Sequence, residues 1–166
     1  MTNDHEKAML AAIAMAKQAP KAPFGAVLVD NREGKVVAQG VNRAQNNPTW
    51  HGEIDVINRY SAACAEPQWQ HLTLYTTAEP CPMCMSAIAW AGIPQVVYGT
   101  DIPTLQQQGW NQLELRASDV SKSATFRTIE LVGGVLKNEC DRLFAQAQTR
   151  RLRAHEPSSN NKRTDS

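Results

Sequence analysis

No run in the 166 residues approaches the ~20 consecutive apolar side chains that span a bilayer. The nearest, AMLAAIAMA, follows Asp4 and Glu6 and is mostly alanine. Met9, Leu10, Ile13 and Ala16 are spaced as on one face of a helix, so this segment is expected to be an amphipathic helix and not a signal peptide. A cytoplasmic protein with no membrane partner follows. An excess of one charge is also lacking. Seventeen Lys and Arg stand against 16 Asp and Glu, a formal net charge of +1, without the basic footprint of a dedicated nucleic-acid binder. Cysteine is scarce, with four in all. At 42% hydrophobic and 20% charged, a chain of this length can bury a core without disulfide staples. Cys64 and Cys140 fall in helical patterns and are expected as core filler. Internal repeats and a break between domains are missing too. Residues 1–153 therefore read as one domain, and residues 154–166, rich in Ser, Asn, Lys and Arg, as a polar disordered tail.

What is present is an alternation of strands and helices. After the first helix, Phe24 to Asp30 and KVVAQGV form a hairpin across the turn NREG. A polar loop, NRAQNNPT, precedes a helix from His51 to about Ala63. HLTLYTT reads as a strand, CPMCMSAIAWA as a helix and QVVYGT as a strand. A short helix is expected over 102–108, then a loop carrying Gly109 and Trp110. ATFRTIELVGG supplies the last strand and VLKNECDRLFAQAQTRRL the closing helix. This order predicts an α/β sandwich whose later strands are joined by crossover helices.

The chemistry is concentrated in EPCPMC, Glu79 to Cys84. Pro82 suits the first helical position, which makes Cys81 the N-cap and puts Cys84 one turn further on. Both sulfurs then lie near the positive end of the helix dipole, which favours thiolate. Thiolate serves a metal site and a redox pair alike, so the pair alone does not decide. PTWHGEIDVI, 30 residues upstream, decides it by placing His51 and Glu53 at the opening of another helix. One His and two Cys are the donor set of a catalytic zinc with an open fourth position, and Glu53 would stand beside it as a proton carrier. Residues two apart do not share a helix face, so both can serve one site only from the first turn. An iron–sulfur cluster would want four cysteines close together, and a structural zinc a closed set of four ligands.

The pattern H-x-E followed by P-C-x-x-C is the signature of zinc-dependent base deaminases. Together with PFGAVLVD, GVNRA, TLYTTAEPCPMCMSAIAWAGI and VVYG, it makes the chain resemble the cytidine deaminase-like superfamily over roughly Lys7 to Cys140. PFGAV, EPCPMC and the Trp of AIAWA are most similar to bacterial guanine deaminases; tRNA adenosine deaminases and fungal cytosine deaminase are also resembled. The resemblance implies a three-layer α-β-α sandwich with a five-stranded mixed sheet, and commonly a homodimer. It implies Zn2+ on His51, Cys81 and Cys84, with Glu53 carrying protons while ammonia is released from a nucleobase or nucleoside. Asn42 matches the loop Asn that contacts the base, or else caps the turn after the strand, and the Gly52 N–H is expected to face the reacting centre. Phe24 either touches the base or packs in the core. Trp90 is expected in the core or at a dimer interface, with the pocket edge as the remaining alternative.

The chain also departs from those relatives. Guanine deaminases carry an acidic pair in a GFDD-like phrase, and GWNQ, Gly109 to Gln112, stands here instead. An amide can donate and accept but carries no charge, unless Glu114 nearby substitutes. Trp110 either covers the base or packs onto its own loop. Trp50, where relatives mostly have a small residue, would narrow the pocket mouth or pack on a dimer partner. A tRNA adenosine deaminase is the alternative function, but the segment after the fourth strand differs from theirs. RRLR, Arg150 to Arg153, reads first as a solvated helix end. Fungal-type cytosine deamination lacks its usual C-terminal closure here. A silent zinc-stabilised scaffold would have lost Glu53 or a ligand, and all four residues are present.

Overall fold

Alternation of side chains along the strands sets the layers, and the computed structural model describes residues 2–155. Strands β1 (Gly25–Asp30), β2 (Lys35–Val41), β3 (Leu72–Ala78), β4 (Gln95–Thr100) and β5 (Glu130–Gly133) form one sheet in the order β2-β1-β3-β4-β5. β1 pairs antiparallel with β2 and β3, whereas β3–β4 and β4–β5 are parallel. This is the expected five-stranded mixed sheet. Ala26, Leu28, Leu74 and Val96 face helices α2 (Gly52–Ala63) and α3 (Pro82–Ala91), packing on Val56, Tyr60, Met85 and Ile88. Their sequence neighbours Val27, Val29, Tyr75 and Val97 point to the opposite face. There they meet Met9 and Ile13 of α1 (Thr2–Ala16) and Cys140 of α6 (Lys137–Ala154). Each large side chain buried this way contributes about 2 kcal/mol relative to exposure.

A smaller third cluster matters more for function. Leu105 of α4 (Ile102–Gln107), Trp110, and Phe144 and Ala147 of α6 close over Ala78, with Phe24 packed alongside. It joins the end of the sheet to the last helix.

Several expectations are corrected. Helix α5 (Ala117–Ser123) occupies a segment where none was expected, and the last strand shrinks to Glu130–Gly133. Leu10 is exposed on α1. Cys64 is the half-buried C-cap of α2, whereas Cys140 is core. Trp90 is 75% exposed, which excludes it from the core. α6 runs to Ala154 with a turn at His155, so these two residues, placed in the expected tail, are ordered structure; the rest of that tail, residues 156–166, lies outside the described residues. No helix among the described residues is long and apolar enough to cross a membrane.

Candidate active site

Two helix N-termini converge at the end of the sheet. His51 is the N-cap of α2 at φ −73°, ψ 166°, and Cys81 the N-cap of α3 at φ −64°, ψ 165°. Their carbonyls accept the first helical bonds, from Asp55 N at 2.9 Å and Met85 N at 2.8 Å. Neither side chain caps its own helix, although capping is the usual task at that position. By contrast, Asp101 caps α4 by accepting from Thr104 N. The His51 and Cys81 side chains instead face each other.

His51 Nδ1 lies 3.6 Å from Cys81 Sγ and 3.6 Å from Cys84 Sγ. All three donor atoms are within 4.8 Å of one another. Bonds of about 2.1 Å to nitrogen and about 2.3 Å to sulfur at the tetrahedral angle give an N–S separation of about 3.6 Å. The three residues therefore fit Zn2+. The thiols need such a cation. Cys81 is drawn down to about 4, chiefly because the Cys84 thiol donates to its thiolate, with His51 adding to this. Cys84 is pushed well up by that same bond and by burial. A nearby positive ion is what lets both deprotonate.

Glu53 sits in the first turn of α2, 3% exposed, and its Oε1 accepts from Thr76 Oγ1 at 2.9 Å. Burial first, then the charge of Cys81, raises its carboxyl above the ordinary range. Gly52 before it is packed so closely that a Cβ there would come 2.7 Å from Phe24 O. That contact seats the start of α2 under β1 and holds Glu53 against β3.

His51, Glu53 and Cys81 open onto a cavity of about 370 Å³. Asn42 lines it with Oδ1 tied to Ala44 N at 3.2 Å, while its Nδ2 makes no hydrogen bond among the described residues. Phe24 and Trp110 both line the cavity and both pack, their rings edge-to-face at 5.5 Å. The Trp110 Nε1 donates to Phe144 O at 3.3 Å, so this ring belongs both to the cavity wall and to the third core cluster, packed on α6 and not only on its own loop. Gln112 lies on the cavity wall and Glu114 is exposed away from it, so the amide and not the carboxylate faces the space. Trp50 is not on that wall. Its indole donates to Asp55 Oδ1 at 3.0 Å and Arg43 sits over the ring, which pins the preceding loop to α2.

Two features escaped the sequence reading. Glu79, the acid of EPCPMC, is buried and accepts from Ile102 N, Ala117 N and Arg116 Nε, each at 2.9 Å. It ties the starts of α4 and α5 to the end of β3. The second is the last two turns of α6, which form part of the cavity wall through Gln148, Arg151, Leu152 and His155. The spacing of these four, i, i+3, i+4 and i+7, was readable; the face they occupy was not.

A His-Cys-Cys donor set between two helix starts, with a buried carboxylate beside it on a five-stranded mixed sheet, defines a zinc-binding hydrolase fold. The chain belongs to the cytidine and deoxycytidylate deaminase zinc-binding family, which matches residues 2–100, and so to the hydrolytic deaminases acting on C–N bonds. It is 33% identical over 132 residues to the guanine deaminase of Bacillus subtilis (strain 168), covering 76% of this chain and 83% of that one. It is 34% identical over 143 residues to a tRNA-specific adenosine deaminase of the same organism, covering 84% and 85%. In fold it is similar to the guanine deaminase structure from Nitrosomonas europaea, with a TM-score of 0.73 at 22% identity over 87% of this chain and 84% of that one.

Proposed function

We propose that this protein hydrolyses the exocyclic amine of a nucleobase or nucleoside, with an amino-purine such as guanine the leading substrate. The observation that carries the reading is the Glu53 carboxylate, buried beside the three zinc donors on the wall of the cavity. Zn2+ on these donors supplies the Lewis acidity that makes water a nucleophile near neutral pH. Thr76 holds Oε1 of Glu53, leaving Oε2 to move protons. Glu53 takes a proton from the attacking water and gives it to the ring nitrogen beside the reacting carbon. As the C–O bond forms and the C–N bond breaks, it passes the second proton to the departing amine, which leaves as ammonia. The free Nδ2 of Asn42 donates to the base, and Phe24 and Trp110 confine its ring.

Ammonia release across free bases, nucleosides and a tRNA anticodon stem tests this. Turnover on at least one amino-purine is expected, and silence on every purine would remove the purine assignment. A second reading, adenosine within tRNA, draws on the tRNA-specific relative, and the anticodon stem in the same panel separates the two.

We also propose a homodimer. Trp90 and Phe126, 75% and 55% exposed, stack with centroids 4.9 Å apart on the surface formed by α3 and the turn after α5. A paired aromatic surface of this kind is costly to leave in water. Light scattering should give twice the chain mass, and Trp90→Glu should return it to one.

A further inference from the structure

The cavity has a zinc end and a cationic mouth, and the mouth is unused by the reaction proposed above. Gln148, Arg151, Leu152 and His155 lie on one stripe of α6 and face the cavity. The stripe is held in place. Gln148 Nε2 donates to Gly109 O at 3.0 Å, and the Arg151 guanidinium lies 4.8 Å from the centroid of the Trp110 ring. Stacking fixes the plane of the guanidinium and leaves its N–H fork free along the edges.

Among the described residues Arg151 has no carboxylate partner. Arg32, Arg43, Arg59, Arg116 and Arg142 each pair with an acid; Arg127, Arg150 and Arg153 share the lack of one with Arg151, but of these four only Arg151 lines the cavity. The two acids on the cavity wall cannot serve. Glu53 is buried at the zinc end under Thr76, and Glu79 is occupied by Arg116 and two backbone N–H groups. A pre-oriented, unpaired guanidinium at the mouth of a cavity roomier than a flat base is a receptor for an anion on the substrate.

We infer that Arg151 binds a phosphate carried by the substrate on the side remote from the amine, so that the amino-base of the reading above is turned over faster as its nucleotide than as the nucleoside or the free base. This rests on the deaminase reading, and the chemistry is the same whether the phosphate belongs to a nucleoside monophosphate or to an RNA strand.

Two measurements on the zinc-loaded full chain test it. The first compares kcat/KM for each amino-base, its nucleoside, its 5′-monophosphate and a short single-stranded oligonucleotide. In the wild type the phosphate is expected to raise kcat/KM over the nucleoside by about 10- to 100-fold, mainly through KM. Arg151→Gln should collapse that ratio and Arg151→Lys should restore part of it. Arg150→Gln, an equal loss of charge at the neighbouring exposed position, should leave the ratio intact. A gain seen only with the oligonucleotide assigns the phosphate to a strand. A ratio unchanged in Arg151→Gln overturns the inference, as does a nucleoside that outperforms its monophosphate.

The second measurement is calorimetric titration of inosine 5′-monophosphate, which carries no exocyclic amine to release, and of inorganic phosphate, so that binding is read without turnover. Binding should weaken at least tenfold in Arg151→Gln, and equal affinity in the two proteins overturns the inference. Failure of the deaminase reading itself would appear differently, as no ammonia from any compound.

Discussion

Glu53→Gln is expected to keep one zinc per chain and to lose turnover by about 10³-fold, the scale of a missing general acid–base group. Gln has nearly the volume of Glu, so the packing against β3 and the bond from Thr76 Oγ1 to Oε1 can both survive. What goes is the second oxygen as a proton carrier, because an amide cannot take the proton from water or return it to the ring. Zinc measured by atomic spectroscopy beside ammonia release separates this from a collapsed site. Full activity in the variant would remove Glu53 from the mechanism.

Cys84→Ala should have the larger effect on the metal. Cys84 is the buried member of the donor set, and its sulfur lies 3.6 Å from His51 Nδ1. Losing a direct ligand should weaken zinc binding by more than the ~100-fold that loss of an outer partner costs. Activity should fall to background in step. Cys140→Ala is the control: that thiol is buried against α1 and the sheet, outside the donor set, and its loss should leave zinc content unchanged. Equal zinc in Cys84→Ala and the wild type would show that the metal, if bound, is held elsewhere.

The donor set was legible because chain chemistry and helix chemistry coincide there. Pro82 fixes where α3 starts, which fixes Cys81 at its cap, and the His51–Glu53 spacing works only from a first turn. The sheet was legible from strands whose residues alternate between two buried faces. Helix α5 was not, because ASDVSKS buries only Ala117 and has no stripe to read. Its start is organised by Glu79, 38 residues earlier, through a bond to Ala117 N. The final strand was overread, since ATFRTIELVGG pairs with β4 only through its last residues. Trp50 looked like a pocket or interface residue because its partner, Asp55, was itself unread as a buried hub. Arg151 was hidden in RRLR, where a charge run at a helix end resembles ordinary solvated surface. The burial of Phe144 and Ala147 and the docking of Gln148 on Gly109 tell which way that face of α6 turns, and neither can be read from RRLR itself.

The two walls of the cavity come from different parts of the gene product. His51, Glu53, Cys81 and Cys84 all fall within the family-matched residues 2–100, whereas Trp110, Gln112 and the α6 stripe come after it. The donor set and its carboxylate thus lie in one stretch, while the cavity that opens onto them is completed by residues from another. If the α6 stripe binds substrate as inferred above, a substitution on that face should change which molecules enter while the metal donors and Glu53 stay untouched. Such an arrangement lets a lineage explore new substrates by small steps, each starting from a working catalyst.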